Sequence, residues 1–501
     1  MSGAVASAHP LSTAAGEEVL ARGGNAYDAT IAVSAALTVV QPHMNGFGAD
    51  FFAVIHDGGF HSINASGWAA AAATPEVFRN AGLSSVPTSG PYAALTVPGL
   101  VAGWGLLDSR RSRPLRELLA PAIRWARRGF PASASLARAI ARTAPRADDD
   151  WRATYGGTRA GAQLLQPALG RALEAVGREG PDAFYHGGLA RRVARDLRTK
   201  GTLLTLDDLE GFRAEWTTPM RTRYRGYEVH TTPPNSQGAT ALLWLNLLAR
   251  EDLASASEAS YYSALLRTMR VAYRYRARFI GDPRYVRFPP ELLDPSFPLE
   301  RTAELPGPTT FGAGDTTAYS VWDGNVGVSA IQSNYMGFGS GVALPSTGIN
   351  LNNRGTYFSL DSEHPNCLAP RKRTFHTLMS VIASAPDRDL LLGSMGGDIQ
   401  PQVNVQVLTR VIDRGQSLGA AIRAPRFAYP ASIYGTADLF AEPGLTLPRA
   451  RTVRGDRSMF GHAHGIDCGV SPEVGVDPRG DGGVSVPGVP PRPRRRRSGQ
   501  R

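Results

Sequence analysis

The chain has 501 residues, 42% of them hydrophobic, enough to bury a large core. Two cysteines, Cys367 and Cys468, exclude a disulfide framework, and no apolar run approaches the roughly twenty residues that cross a bilayer. The formal charge of +11 comes almost wholly from arginine, Lys200 and Lys372 being the only lysines, so it reads as a compositional bias rather than a nucleic-acid face.

In chain order, Ser12 or Thr13 is suited to cap a first helix carrying Glu17 and Glu18 in its opening turn and ending at Gly23-Gly24. An Ala-rich stretch from about Asp28 to Val40 is apolar all round, the pattern of a buried helix. Segments Pro114 to Arg128 and Leu189 to Lys200 mix apolar and basic residues at helical spacing and read as outer-layer helices. Residues Thr317 to Trp322 alternate like a strand, and Asp323-Gly324 marks a hairpin turn. The apolar run Leu390-Leu391-Leu392 leads into Met395-Gly396-Gly397. From about Arg449 the chain is rich in Gly and Pro, which predicts an irregular region ending in a disordered tail with its basic patch at Arg492 to Arg497. His9, His43 and His186 read as structural, and His462-Ala463-His464 as part of a loop; no pair has convincing metal-ligand context. Nothing at the N-terminus has the plan of a secretory signal, so a cytoplasmic location is the default expectation, export being open if the gene starts earlier.

Asp315-Thr316-Thr317 carries the chemistry. A hydroxyl is a weak nucleophile until a base takes its proton, and a threonine with a free α-amine carries that base on its own backbone. With a reference pKa near 8, the amine is partly unprotonated at neutral pH and can act as base and then acid. An internal threonine has no such amine, so cleavage before Thr316 would create the site. Taken alone, the stretch reads first as a plain β-strand.

What lifts it is an ordered series of matches. Gly23-Gly24-Asn25-Ala26-Tyr27-Asp28-Ala29, Gln41-Pro42-His43-Met44-Asn45-Gly46-Phe47-Gly48-Ala49-Asp50, Pro233-Pro234-Asn235-Ser236-Gln237-Gly238, Gly281-Asp282-Pro283, Gly348-Ile349-Asn350-Leu351-Asn352-Asn353 and Ala424-Pro425-Arg426 follow one another along the chain. Together they resemble the gamma-glutamyltransferase family, and Gln332-Ser333-Asn334-Tyr335-Met336-Gly337 with Phe375-His376-Thr377 is most similar to its lidless branch, which also resembles the cephalosporin acylases. The resemblance implies an α+β fold of the N-terminal-nucleophile hydrolases, an αββα sandwich of two antiparallel sheets between helical layers. It divides the precursor into a large segment 1–315, a small segment 316–448 bearing the nucleophile, and the irregular region 449–501. The two autoproteolytic fragments would remain together as a heterodimer. A small-molecule amide is the implied partner, with no specific nucleic acid, no membrane, and no metal or organic cofactor.

Residue by residue, the resemblance makes Thr316 the nucleophile and Ser333 a second hydroxyl contacting the nucleophile's amine or hydroxyl. Gly396 and Gly397 become the oxyanion hole, where a missing Cβ lets the backbone approach the substrate carbonyl. The departures are in the acyl pocket. Ser66 stands where members binding γ-glutamyl groups have an arginine, Tyr357 where they have an acid, and His376-Thr377 where they have paired serines. Arg354 or His376 is then the available substitute cation. Segment Phe358 to Arg373 is too short for the lid of many transferases, and Ala318 replaces a histidine common after the threonine pair, which is expected to slow maturation. The expected reaction is hydrolysis of γ-glutamyl amides of the glutathione type, with transfer as a side path. An acylase acting on glutaryl, β-lactam or other side-chain amides is the close alternative, and an unprocessed homologue serving as a binding protein the distant one.

Overall fold

The computed structural model describes residues 3–294, 296–297, 315–429 and 438–485. The Arg492 to Arg497 patch lies outside the described residues.

Two antiparallel sheets form its middle. The first has seven strands in the order 483–485, Ala4–Ser7, Asp315–Trp322, Gly327–Tyr335, Asp50–His56, Phe60–Ala65 and Glu215–Thr217. The second has six: Glu473–Val476, Ala463–Asp467, Arg388–Ser394, Ser380–Ala385, Tyr227–Thr231 and Met220–Tyr224. Their facing sides share small clusters, among them Ala6, Val54, Ile382, Leu391 and Ile466. The hairpin is as expected, Val321 facing Val328 across the turn at Asp323-Gly324.

Helices cover both outer faces, which completes the αββα sandwich expected from the resemblance. On the first sheet lies Ala26–Val40, all of whose 15 residues are buried. Its Asn25 cap, boxed with Asp28, satisfies the first-turn N–H groups. An apolar surface all round lets it pack on the sheet from one side and on the amphipathic helix Leu115–Arg128 from the other. Gly238–Leu248, Glu258–Phe279 and Gln400–Ile412 cover the second sheet.

Three local expectations are corrected. The first helix runs Pro10–Ala21 and is capped by His9, whose Nδ1 accepts from the Leu11 N–H, so Glu17 and Glu18 fall in its later turns. The Ser12 and Thr13 hydroxyls are used elsewhere, Ser12 on the His9 carbonyl and Thr13 on the Gly483 carbonyl. His464 is in a strand, Ala463–Asp467, rather than a loop. The region after Arg449 also supplies ordered strands up to residue 485, fixed by buried ion pairs. Arg426 sits 2.5 Å from Asp477, Arg479 Nη1 3.0 Å from it, and Asp477 also accepts from the Ala463 N–H. Burial pushes the Asp477 carboxyl up, but Arg426 and Arg479 outweigh it and hold the group well below the usual range. Gly and Pro content misled here because long-range ion pairs order a segment that its local propensities do not.

Candidate active site

Strand alternation sets the geometry. Tyr319 and Val321 face the helical core, while Ala318 on the other parity packs between the sheets. Thr316 shares that inner parity and is buried, and its Oγ1 has no hydrogen-bond partner among the described residues.

The neighbouring strand departs from regular pairing beside it. Gln332 pairs with Thr317 and Tyr335 with Asp315, so Ser333 and Asn334 together oppose Thr316. Tyr335 takes a φ of 77° at this bulge. Gln332 and Ser333 point to opposite faces of the strand. Gln332 turns toward the buried helix, its Nε2 donating to Asn45 Oδ1 at 2.6 Å. Ser333 turns to the hairpin partner and donates from Oγ to the Asp315 carbonyl oxygen at 2.6 Å. That carbonyl belongs to the peptide bond preceding Thr316. In the uncut chain Ser333 thus donates to the acyl half of that bond.

Behind Ser333 lies a buried charge cluster. Arg354, fully buried, begins the turn Arg354–Tyr357, with its N–H bonded to Asn352 Oδ1. Its guanidinium reaches Ser333 Oγ at 3.4 Å, Thr377 Oγ1 at 3.0 Å and Asp50 Oδ2 at 3.5 Å. The Tyr335 ring lies 4.6 Å from it. Asp50 Oδ2 also meets His376 Nε2 at 3.0 Å. Because the Leu378 N–H donates to His376 Nδ1, the ring proton resides on Nε2 and is given to Asp50. Burial and the Arg354 charge lower His376 to about 4, so it is neutral at pH 7 and Arg354 is the cation of this cluster.

A second pair supports the glycine turn. Arg276 Nη1 lies 2.6 Å from Asp398 Oδ1, and the Tyr357 hydroxyl donates to Asp398 Oδ2. The same Nη1 holds Gln237, whose Nε2 donates to the carbonyls of Thr377 and Gly397. Gly396 has φ 141° and Gly397 φ 57°, values that favour glycine, and a Cβ on Gly396 would meet Ile399 Cγ1 at 2.7 Å. With the Gly397 carbonyl pinned by Gln237, the 397–398 peptide plane that follows the two glycines is held in place. Such a fixed turn suits N–H groups that must wait for a developing oxyanion.

A cavity of about 110 Å³ opens on Asp315 and Thr316, lined also by His43, Arg142, His462 and Met395. Burial lowers His43 to about 3 and pushes the Asp315 carboxyl up to about 6. Among the described residues no three His, Cys, Asp or Glu side chains are placed to hold a metal ion.

The structure thus brings Thr316, Ser333, Arg354, His376 and Thr377 together, with Gly397 joined to Thr377 through Gln237 and Tyr357 held on Asp398. Ser66 lies to the side, buried and bonded to Asn64 and Asn235. Sequence reasoning assigned no role to Asp50, Gln237, Arg276 or Asp398. The signal for Asp50 was legible: it is an acid heading the apolar strand Phe51-Phe52-Ala53-Val54-Ile55.

Two antiparallel sheets stacked between helical layers are the αββα fold of the N-terminal-nucleophile hydrolases. The family model for gamma-glutamyltranspeptidase matches residues 12–486, and the chain belongs to that family. It is 37% identical over 450 residues to the glutathione hydrolase-like YwrD proenzyme of Bacillus subtilis, spanning 85% of this chain and 84% of that one. It is 38% identical over 440 residues to the oxamate amidohydrolase proenzyme of Klebsiella pneumoniae, spanning 84% of this chain and 83% of that one. The crystal structure of cephalosporin acylase from Bacillus halodurans superposes with a TM-score of 0.88 at 32% identity, covering 97% of this chain and 95% of that one. The protein is accordingly an amide-acting hydrolase or transferase of a family made as proenzymes.

Proposed function

We propose that the chain is a self-processing amidohydrolase that cuts itself between Asp315 and Thr316 and then uses Thr316 as nucleophile on γ-glutamyl amides of the glutathione type. The observation carrying this is the Ser333 hydroxyl 2.6 Å from the Asp315 carbonyl oxygen, a donor placed on the bond to be cut, next to a Thr316 Oγ1 with no hydrogen-bond partner among the described residues. After cleavage the Thr316 α-amine serves as general base, and Gly396 and Gly397 N–H groups receive the oxyanion of the substrate amide. An amine leaves, and water releases the acyl group. The glutathione-type substrate is supported by the name of the YwrD relative.

A second reading, an acylase on amides whose acyl half bears a carboxylate but no α-amine, is favoured by one feature. Both carboxylates of the cluster are already engaged, Asp50 with Arg354 and His376, Asp398 with Arg276 and Tyr357, so neither is open to a substrate ammonium group. Glutaryl amides and oxamate, the substrate named for the Klebsiella relative, belong to this class.

The test of the primary reading is the purified chain on a denaturing gel. Fragments of 315 and 186 residues are expected, the smaller beginning at Thr316. Thr316→Ala should remain a single chain, and persistent cleavage in that variant refutes the assignment.

A further inference from the structure

A serine hydroxyl has one proton to give and two lone pairs to receive with. At Ser333 all three are assigned. The Tyr335 N–H donates to Oγ at 2.7 Å, Arg354 Nη2 donates at 3.4 Å, and the proton goes to the Asp315 carbonyl at 2.6 Å. With both lone pairs facing N–H donors, Ser333 has none left to take the proton of Thr316, so it is not the base. It is an electrophilic donor. The guanidinium contact is long for a hydrogen bond, yet its charge acts through a buried medium, where hydrogen-bonded groups polarise one another.

We propose that Arg354 is a positioning residue for self-cleavage: with the Tyr335 N–H it saturates Ser333 Oγ and commits the serine proton to the scissile carbonyl oxygen. This rests on the reading of Thr316 as nucleophile. Maturation and turnover then use different oxyanion donors, Ser333 for the first and the Gly396-Gly397 turn for the second. In maturation, Thr316 Oγ1 bonds to the Asp315 carbonyl carbon, and the carbonyl electrons move onto the oxygen held by Ser333. The Thr316 hydroxyl proton passes to the scissile nitrogen, the C–N bond breaks, and an ester on Oγ1 with a free α-amine results. Water adds to the ester carbon, the C–Oγ1 bond breaks, and Asp315 is left as a terminal carboxylic acid with the threonine hydroxyl restored. One water is consumed per bond cut.

Two parts of the site fit this role. Asp50 Oδ2 lies 3.5 Å from Arg354 Nε and fixes its position, while the adjacent Tyr335 and Tyr357 rings lie 4.6 and 5.5 Å from its guanidinium. The bulge that sets Ser333 and Asn334 against one residue is also what turns Tyr335 N back onto the serine oxygen.

The experiment follows cleavage of full-length precursor after cell-free synthesis in the cold, sampled on denaturing gels, with Thr316→Ala as the uncut control. Ser333→Ala should slow cleavage about a hundredfold, as for loss of one oxyanion donor. Ser333→Thr, which retains the hydroxyl, should restore most of the rate. Arg354→Gln should slow cleavage about tenfold or more, the size of one hydrogen bond to a charged group, with Arg354→Lys between it and wild type. Because Arg354 acts through Ser333, the Ser333→Ala/Arg354→Gln double variant should be no slower than Ser333→Ala, whereas a merely structural arginine would multiply the two losses. Where circular dichroism shows the glutamine variant misfolded, Arg354→Lys replaces it in the same cycle. Wild-type cleavage rates in a folded Arg354 variant, or multiplicative losses in the double, overturn the inference and leave Thr316 standing. Cleavage of Thr316→Ala overturns both.

Discussion

Replacing Asp50 by asparagine is the sharpest probe of the buried cluster. The change is isosteric and removes one negative charge from a fully buried position. Asp50 Oδ1 accepts from the Gly67 N–H at 2.8 Å, a bond the asparagine carbonyl can keep. The other oxygen, 3.0 Å from His376 Nε2 and 3.5 Å from Arg354 Nε, becomes an NH2 group facing two donors. Arg354 is then a buried cation without its counter-ion, and breaking such a pair costs about 3–5 kcal/mol. Urea unfolding followed by fluorescence of the seven tryptophans measures it, best in the Thr316→Ala background so that each sample is one covalent chain. Adding Arg354→Gln removes the stranded charge, so the double variant should be less destabilised than the two single losses together by about 1–3 kcal/mol. A loss below about 1 kcal/mol for Asp50→Asn, or strict additivity in the double, would show that the Arg354 charge is balanced elsewhere and would refute the cluster as described.

Gly397→Val should lower kcat about a hundredfold in protein that has still processed itself, since the N–H donors at 396 and 397 are moved while Ser333 is not; unchanged turnover would place the oxyanion hole elsewhere. The His56–Asp389 contact at 2.6 Å joins the two sheets, and the Asp389 hydrogen bond raises His56 against the effect of burial. A raised pKa means the paired form adds stability below the unfolded value of about 6.5, and this is lost as pH climbs through the folded value. Melting temperatures should therefore fall more between neutral and mildly alkaline pH in the wild type than in His56→Gln, and parallel curves would show the pair contributes nothing. For specificity, kcat/KM is to be compared between a γ-glutamyl anilide and its glutaryl counterpart, with and without glycylglycine. On the expectation from the resemblance that Ser66 and Tyr357 replace the charged clamps and that segment 358–373 is too short for a lid, weak discrimination and little acceptor stimulation should follow. A preference of the order of 10⁴ for the γ-glutamyl compound, the ratio a site built around charged substrate groups can reach, would show a clamp in the acyl pocket.

The amino-acid order alone determined what depends on near neighbours. The period-2 pattern after Asp315 and the turn at Asp323-Gly324 define a hairpin, and the largely apolar, Ala-rich run of residues 28–40 defines a helix that has to be enclosed. The spacing from Thr316 to Ser333 places both on adjacent strands, and paired glycines after an apolar strand mark a backbone that approaches something closely. What the sequence left open is where side chains meet across elements. Ser333 donates to the Asp315 carbonyl in the uncut chain where one extra residue bulges its strand, a register detail with no local signature. Asp50, Gln237, Arg276 and Asp398 come from four separate elements, and only the stacking of two sheets between helices makes them one network. The C-terminal region reads as irregular from its Gly and Pro content, yet Arg426, Asp477 and Arg479 order it, since buried charges in contact outweigh weak local propensities. Polarity and periodicity are written residue by residue, whereas the chemistry of this site depends on distances that exist only once the sheets have paired.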